Sequence, residues 1–231
     1  MRSVNTIKYC RIAVADPQVI HMLKETKSIS GVTLLNNELY VLRDDSNIQV
    51  YSTGDFTALR YLFIPGMVPV KIDHITSCEQ KQCIYLATSN NDNNSIHRLE
   101  LDLGLSEWAV RYRTQALSVT RSANVLATCR DDTEESCKLV ELSSDDGSCL
   151  SEITLEADIE YPWHCIQLDS GMYLVCHGMY SVNSGVSHVD TDGRITRSNK
   201  GDGGLDWPCH LASLYSSLMS TTAELFSSTH H

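Results

Sequence analysis

Several features that would place the protein in a functional class at once are missing from its sequence. No run of about 18 apolar residues occurs, so the sequence predicts no transmembrane helix. The first residues, MRSVNTIKYCRIAVADPQ, contain no apolar segment of signal-peptide length. We therefore expect a cytoplasmic protein without a membrane partner.

Basic residues are scarce as well. The 231 residues include 18 Lys and Arg against 29 Asp and Glu, which gives a net charge of −11. No cluster of Lys and Arg stands out against this acidic background. Because an acidic surface repels phosphate backbones, we predict that nucleic acids are not partners.

Motifs for catalysis and cofactor binding are absent too. The sequence has no G-x-S-x-G nucleophile elbow, no phosphate-binding loop and no dinucleotide-binding fingerprint. We predict no catalytic, cofactor-binding or metal-binding residues and no cofactor, and we expect a protein that is not an enzyme.

Cysteine, by contrast, is abundant. There are nine, with irregular spacing, and four lie in apolar runs typical of strands: Cys83, Cys129, Cys165 and Cys176. Since free cysteine behaves as a small buried hydrophobe, we predict buried thiols rather than disulfides or metal ligands. Cys78 and Cys83 flank the polar stretch EQKQ and could be cross-strand neighbours. A disulfide between them is geometrically possible, but a reducing compartment would keep both as thiols.

The chain contains a repeat. Four segments each have a short apolar strand, a polar turn, an apolar pair, a variable polar loop and further strands. The pairs are Tyr40-Val41, Tyr85-Leu86, Val125-Leu126 and Tyr173-Leu174, and the third strands end at Tyr51, Leu99, Leu142 and Val189. Both landmarks recur every 40 to 48 residues. Such a period with four strands per unit is typical of a β-propeller blade.

The turns between these strands fit the same interpretation. The stretches STGD, SSDDG and DTDG lie between apolar runs of strand length. Their Asp and Ser side chains can bond the nearby backbone, and Gly accepts a positive φ. The sequence therefore predicts an all-β fold, a β-propeller with about four complete four-stranded blades.

Two equivalent stretches carry a family resemblance. Pro162-Trp163-His164-Cys165-Ile166 opens the fourth unit and Pro208-Cys209-His210-Leu211-Ala212 opens a fifth, while the fourth continues through GMYLVCHG and GVSHVDTDGRI. These stretches resemble the NHL-repeat family of six-bladed β-propellers, especially invertebrate proteins related to tripartite-motif ubiquitin ligases. The resemblance implies a scaffold for protein interactions, in some members for RNA. Ligase activity is not implied, because no C-x-x-C pair is present to build a RING finger.

The repeat divides the chain into three regions. Residues 1–28 form an N-terminal flank that is partly helical, residues 29–212 form the NHL-like blades, and residues 213–231 form an atypical tail in which SLMSTTAELF suits a short helix. The fifth unit starts and is not completed, so we expect a truncated six-bladed propeller. Its open blade edges would favour self-association.

The histidines and the acidic loops each have two interpretations. His164 and His210 occupy equivalent positions, which favours a structural role at blade junctions over a ligand role. His177 and His188 could approach each other in a hairpin, but no third ligand follows at metal-site spacing, and we expect surface histidines. The stretches RDDS, SNNDNN, RDDTEE and SSDDG are rich in oxygen ligands for calcium, yet Asp and Asn are also the usual turn residues, and we favour solvated turns.

Two functions therefore compete. The first is a non-enzymatic protein-interaction module, a scaffold or substrate-recognition propeller with an unknown protein partner, because variable loops on a rigid body form recognition surfaces. The alternative is a calcium-dependent hydrolase of lactonase or esterase type. That activity would need carboxylates and amides that converge at the propeller axis from several blades.

Overall fold

The computed structural model describes residues 6–13, 16–24, 29–62, 64, 71–90, 93–101, 104–178, 185–200, 211–212 and 224–225. Side chains are described from residue 29 onward within these ranges, except at 89–90, 93, 199–200, 211–212 and 224–225. Every regular element in the described part of the chain is a β-strand, and the strands form five antiparallel sheets of four. The predicted all-β fold is confirmed.

The strands follow one another along the chain with short connections. The first two are β1 (Thr6–Ala13) and β2 (Asp16–Lys24). Blade one comprises β3 (Ile29–Leu35), β4 (Glu38–Arg43), β5 (Ile48–Ser52) and β6 (Ala58–Leu62). Blade two comprises β7 (Ile72–Cys78), β8 (Cys83–Asn90), β9 (Asn93–Glu100) and β10 (Gly104–Ala109).

Two further blades repeat this plan. Blade three comprises β11 (Arg113–Val119), β12 (Val125–Asp131), β13 (Ser136–Leu142) and β14 (Cys149–Thr154). Blade four comprises β15 (His164–Gln167), β16 (Tyr173–His177), β17 (Gly185–Val189) and β18 (Ile195–Lys200). The last two strands are β19 (Leu211–Ala212) and β20 (Glu224–Leu225).

The blades are arranged around a common centre. Within each blade the strands pair in chain order, and the first strands of successive blades, β3, β7, β11 and β15, lie side by side. Adjacent first strands with the later strands extending outward are the arrangement of a β-propeller. The prediction of four complete blades between residues 29 and 207 is therefore confirmed.

The fifth sheet joins the two ends of the chain. Its strand order is β19-β20-β1-β2, and Arg11 of β1 pairs with Glu224 of β20. β19 also contacts β15, as the first strand of a following blade should. The predicted helical stretches in 1–28 and in the tail are wrong wherever they overlap these strands, because β2 pairs along its length with β1, and β20 pairs with β19 and β1, so the backbone groups are satisfied in strands. The two ends thus supply two strands each to one four-stranded sheet, which neither end could complete alone.

The third-strand landmarks of the repeat are structurally equivalent. Tyr51 pairs with Leu39, Leu99 with Ile84, Leu142 with Val125, and Val189 with Tyr173. The predicted second-strand pairs begin at the residue that pairs with the third-strand landmark in blades three and four. In blades one and two they begin one residue after it. The third strand thus marks the repeat better than the second.

The hydrophobic core lies in the seams between blades. One cluster joins Tyr40 and Leu42 of blade one to Ile75 and Leu86 of blade two. Equivalent clusters join blade two to blade three and blade three to blade four. Because each fully buried aliphatic side chain contributes about 1.5–3 kcal/mol, the seams hold the blades together.

Each blade has two kinds of end, and we name the two faces of the propeller after them. The turn face carries the turns between strands one and two and between strands three and four. The loop face carries the loops between strands two and three, of which Asp44–Asn47 in blade one and Asp132–Glu135 in blade three are described.

Candidate interaction face

Two histidines on the inner strands meet near the propeller axis. His74 of β7 pairs with Ala87, and His164 of β15 pairs with Cys176, which are equivalent positions in blades two and four. Their ring centroids lie 5.7 Å apart although blade three lies between the two strands. The histidines therefore bridge across the centre, whereas the sequence predicted a role at junctions between neighbouring blades. His210 lies outside the described residues.

Both rings of this pair are buried, and the tautomer of one is fixed. The backbone N–H of Leu117 donates to Nδ1 of His74 at 3.2 Å. The lone pair of Nδ1 is thus occupied, so the proton of a neutral ring lies on Nε2. A metal ion needs an unprotonated ring nitrogen, and the described part of the chain has no group of three His, Cys, Asp or Glu side chains placed to hold one. The pair fits a packing role better than a metal site.

Blades two and four each contain a buried contact between a hydroxyl and an imidazole. The hydroxyl lies on the second strand and the imidazole on the third in blade two, and the reverse holds in blade four. In blade two, Oγ1 of Thr88 lies 3.2 Å from Nε2 of His97. In blade four, Nε2 of His177 lies 2.8 Å from Oγ of Ser187, which donates to Ser198. His177 is therefore a buried residue and not the predicted surface histidine. Neither hydroxyl is accessible to a substrate, which argues against nucleophilic chemistry.

Blade three carries a buried lysine beside its loop. Lys138 is only 5% exposed, and its Nζ lies 3.0 Å from Oε1 of Glu152 and 3.3 Å from Oδ2 of Asp131. Nζ also lies 3.2 Å from Oε2 of Glu134 and 4.7 Å from the ring centre of Tyr112. The loop and the outer strand are thus tied to one cation.

The charges in this cluster support one another. Hydrogen bonding to Glu152 raises the pKa of Lys138 above its ordinary value. Hydrogen bonds from Thr133 lower the pKa of Asp131 to about 2, and Lys138 contributes to the shift. Burial raises the pKa of Glu152, but the bonds from Lys138 and Tyr112 outweigh it, and the net shift is downward. The ammonium of Lys138 and the carboxylates of Asp131 and Glu152 are therefore charged at neutral pH, and Oδ1 of Asp131 accepts backbone N–H groups of Thr133 and Glu134 in the 132–135 loop.

Two exposed tyrosines lie on arginines at the loop ends of blades one and three. Tyr61 is 63% exposed, and its ring centre lies 5.3 Å from the guanidinium carbon of Arg43, which also donates to its hydroxyl at 3.2 Å. Tyr161 is 45% exposed, and its ring centre lies 5.4 Å from the guanidinium carbon of Arg130. Each arginine stands at the end of a second strand, so the two rings are presented beside the loops in fixed orientations.

The acidic loops behave as turns in the described residues. Oδ1 of Asp45 accepts from the backbone N–H of Asn47, and Oδ1 of Asp131 accepts from that of Thr133. Asp146 and Asp190 make the same kind of bond in the turns between strands three and four. These oxygens accept from the local backbone, and the described part of the chain has no group of three His, Cys, Asp or Glu side chains placed to hold a metal ion. Residues 91–92 of SNNDNN lie outside it.

The predicted buried thiols are confirmed at four positions. Cys83, Cys129, Cys165 and Cys176 are all buried, and the first three are in no disulfide. Cys78 and Cys83 are cross-strand partners, as their flanking positions predicted.

Sequence reasoning missed three residues that the structure makes prominent. His74 lacks the Pro-x-His context that marked His164, although an apolar residue follows both. Lys138 sits in a strand with an otherwise ordinary pattern, and only the tertiary structure brings Asp131 and Glu152 to it. Tyr161 precedes the proline that opened the fourth unit, a position that could have suggested an ordered connector.

Comparison with known proteins supports the fold. No family model matches the sequence, and no curated protein matches it. Among solved structures, a chain of the nidogen/laminin complex is similar, with a TM-score of 0.59, 16% identity, and coverage of 79% of this chain and 67% of that one. The β-propeller domain of Cps50 (Swd1) from Myceliophteria thermophila gives a TM-score of 0.54, 10% identity, and coverage of 81% and 65%.

An enzyme is among the similar structures. Luciferin-regenerating enzyme gives a TM-score of 0.56 with 12% identity, over 78% of this chain and 64% of that one. The protein thus spans about two thirds of these three chains, and 50% of another match. At such identities the likeness shows a β-propeller fold and nothing finer. In the described residues no helix has the length and hydrophobicity to cross a membrane.

Proposed function

We propose that the protein is a non-enzymatic interaction module that binds another protein through its loop face. The observation that supports this most directly is the pair of exposed tyrosines held on arginines. Tyrosine and arginine dominate binding energy at protein interfaces, and side chains that are already ordered lose little entropy on binding. Tyr61 and Tyr161 meet both conditions.

The surrounding loops add discrimination to these anchors. Asp44 and Asp45 follow Arg43 in blade one, Asp132 pairs with Arg130 in blade three, and these residues and Glu134 are exposed at the loop ends of two different blades. Charged rims contribute more to specificity and association rate than to affinity. In this proposal the tyrosines supply affinity and the acidic tips select among partners.

A kinship with NHL-repeat propellers and a cytoplasmic location belong to the same proposal. The support for the kinship is the sequence, in which two units open with Pro-x-His. Self-association through blade edges is likewise retained as a proposal.

The test uses affinity-tagged full-length chain expressed in cells, with co-purifying proteins quantified by mass spectrometry. The Tyr61→Ala/Tyr161→Ala double variant is compared with the wild type and with Leu150→Ala. Leu150 is a matched control because it is 53% exposed on β14, where the outer strand of blade three begins. A specific partner is retained by the wild type and by Leu150→Ala and lost by the double variant.

The partner identified in this way is then purified and titrated directly. We expect the double variant to bind at least about tenfold more weakly, since central interface residues contribute about 2 kcal/mol or more. Both tyrosines are exposed, so thermal melting of the variants should match the wild type. Equal affinity of the double variant and the wild type would refute the loop face as the binding surface.

A further inference from the structure

The inner strands of the first three blades each contain an extra residue near the loop face. Register pairing passes over Ser30 in β3, Asp73 in β7 and Gln115 in β11, while the flanking residues oppose consecutive residues of the second strand. Trp163 takes the equivalent place in blade four, directly before β15. A β-bulge re-aims the side chain of its extra residue, and bulges are common beside active sites. The loop-face ends of the inner strands therefore carry four different side chains with hydrogen-bonding groups.

Two of these side chains hold buried polar atoms without a partner. Oε1 of Gln115 and Nε1 of Trp163 are shielded from solvent, and neither has a hydrogen-bond partner in the described part of the chain. The two residues as a whole are half-buried. Because buried polar groups in folded proteins are nearly always hydrogen-bonded, an unpaired acceptor and an unpaired donor on neighbouring blades indicate a place where another group binds.

Both side chains belong to the seam between blades three and four. The backbone N–H of Trp163 donates to the carbonyl oxygen of Cys176 at 2.8 Å, so the chain already follows the ladder of β15 there. Cys165 packs in one cluster with Leu126 of blade three, and residues two apart in a strand share a face. The Trp163 side chain thus lies on the side of blade three, and β11, which carries Gln115, lies beside β15.

An ordered aromatic side chain lies at the same end of this seam. Tyr161 stands two residues before Trp163, and its ring rests on the guanidinium of Arg130 in blade three. The unpaired donor is therefore close in the chain to a residue of the proposed binding surface. A partner that docks on Tyr161 would shield this place further from water, and a hydrogen bond made in such surroundings is stronger than one in water.

The two unpaired atoms define the chemistry of the group that they would bind. The N–H of Trp163 requires an acceptor, and Oε1 of Gln115 requires a donor. An ionised carboxylate cannot donate, and an ammonium or guanidinium cannot accept, so neither kind of ion satisfies both atoms. A primary carboxamide presents a C=O and an N–H on one side, whereas in a trans peptide group they point in opposite directions. Asn and Gln side chains therefore match the pair.

We propose that the loop-face end of the seam between blades three and four binds an Asn or Gln side chain of the protein partner. The carboxamide oxygen accepts from Nε1 of Trp163, and the carboxamide nitrogen donates to Oε1 of Gln115. This inference rests on the proposed function, because it names the chemistry of one group that the loop face receives. Tyr161 then supplies contact area beside a polar contact that selects for the amide.

The test is a titration of full-length protein with ¹⁵N-labelled tryptophan, followed by NMR of the indole N–H groups. The chain has three tryptophans, and the variant Trp163→Phe assigns the signal. The probes are acetamide, which resembles the side chain, N-methylacetamide, which resembles the main chain, and acetone, which only accepts. We expect acetamide to shift the Trp163 signal saturably and to bind at least about tenfold more tightly than acetone, because acetone leaves Gln115 unpaired. The Trp108 signal should not move.

Variants at Gln115 make the assignment specific. Gln115→Leu removes the acceptor and should abolish the preference for acetamide over acetone, whereas Gln115→Glu keeps an acceptor and should retain it. Thermal melts like that of the wild type show that the variants are folded. The proposal is overturned by the absence of a saturable shift with acetamide, by equal binding of N-methylacetamide, or by an unchanged preference in folded Gln115→Leu. The probes need no protein partner, so the result is independent of the Tyr61→Ala/Tyr161→Ala test of the proposed function.

Discussion

The turn face and the loop face of this propeller differ in how far their residues recur from blade to blade. On the turn face the blades repeat one another: Asp146 and Asp190 bond their own turns, and Gly147 and Gly193 lie against the preceding blade. On the loop face the blades differ: the exposed Tyr61 lies on the outer strand of blade one, whereas in blade three the exposed Tyr161 lies in the connection to blade four and Lys138 forms a buried charge cluster.

This difference indicates that the turn face mainly stabilises the contacts between blades, whereas the loop face is available for recognition. Seam contacts must recur because every blade meets its neighbour in the same way. The loop ends have no such constraint, so each can carry its own polar or aromatic group. Substitutions on the turn face should therefore affect stability first, and exposed ones on the loop face should affect binding first.

The largest expected effect comes from a glycine in a seam. Gly147 has φ near 72°, and a Cβ added there would lie 2.3 Å from Cγ of Trp108 in blade two. Gly147→Ala combines backbone strain with a steric clash, and we expect a loss of about 3 kcal/mol in the free energy of unfolding. Urea titration followed by circular dichroism measures it.

Gly171 is the matched control for this substitution. It has φ near 81° but nothing within 4 Å of an added Cβ. Gly171→Ala should cost about 1 kcal/mol from the backbone alone. Equal losses at the two positions would contradict a seam role for Gly147.

The next effect concerns the buried lysine of blade three. Lys138→Met removes the cation that Glu152 and Asp131 share, and we expect a loss of about 2 kcal/mol because bonds to charged groups are lost. Lys71→Met is the control, since Lys71 pairs with Asp73 on the surface and is 67% exposed. Equal shifts of the melting temperature in Lys138→Met and Lys71→Met would show that the buried Lys138 stabilises the fold no more than a surface lysine does.

A smaller effect should appear in the pH dependence of stability. Burial lowers the pKa of His97 below its ordinary value of 6.5. The unfolded chain therefore binds the proton first, and stability present above about pH 6.5 is lost as the pH falls. His97→Gln removes this titration, so unfolding free energies at pH 7.5 and 5.5 should differ less in the variant. An unchanged difference would exclude His97 as a contributor.

The smallest expected effect is that of calcium. The Oδ1 atoms of Asp55, Asp146 and Asp190 each accept a backbone N–H of their own turn. Added calcium should shift the melting temperature by less than about 1 °C, because a ligand stabilises only a state that it binds. A larger rise that grows with concentration would instead favour the hydrolase alternative.

Local sequence chemistry predicted the repeated parts of the molecule well. Tyr51, Leu99, Leu142 and Val189 mark equivalent strand ends because a buried apolar residue before an Asx turn is a local pattern. The cross-strand relation of Cys78 and Cys83 was predictable for the same reason. The loop-face groups were not, since Arg130 and Tyr161 are distant in sequence and nothing in their spacing links them.

The sequence by itself determined the all-β repeat, the four blades and the turn chemistry, because alternation, turn residues and a period near 45 act over short stretches of chain. Only the tertiary structure decided how the ends are used. β1 and β2 pair with β19 and β20 in one sheet, although neither segment alone looks like a blade. It also decided that His74 and His164 meet across the centre, because contacts between distant segments depend on the geometry of the whole ring of blades.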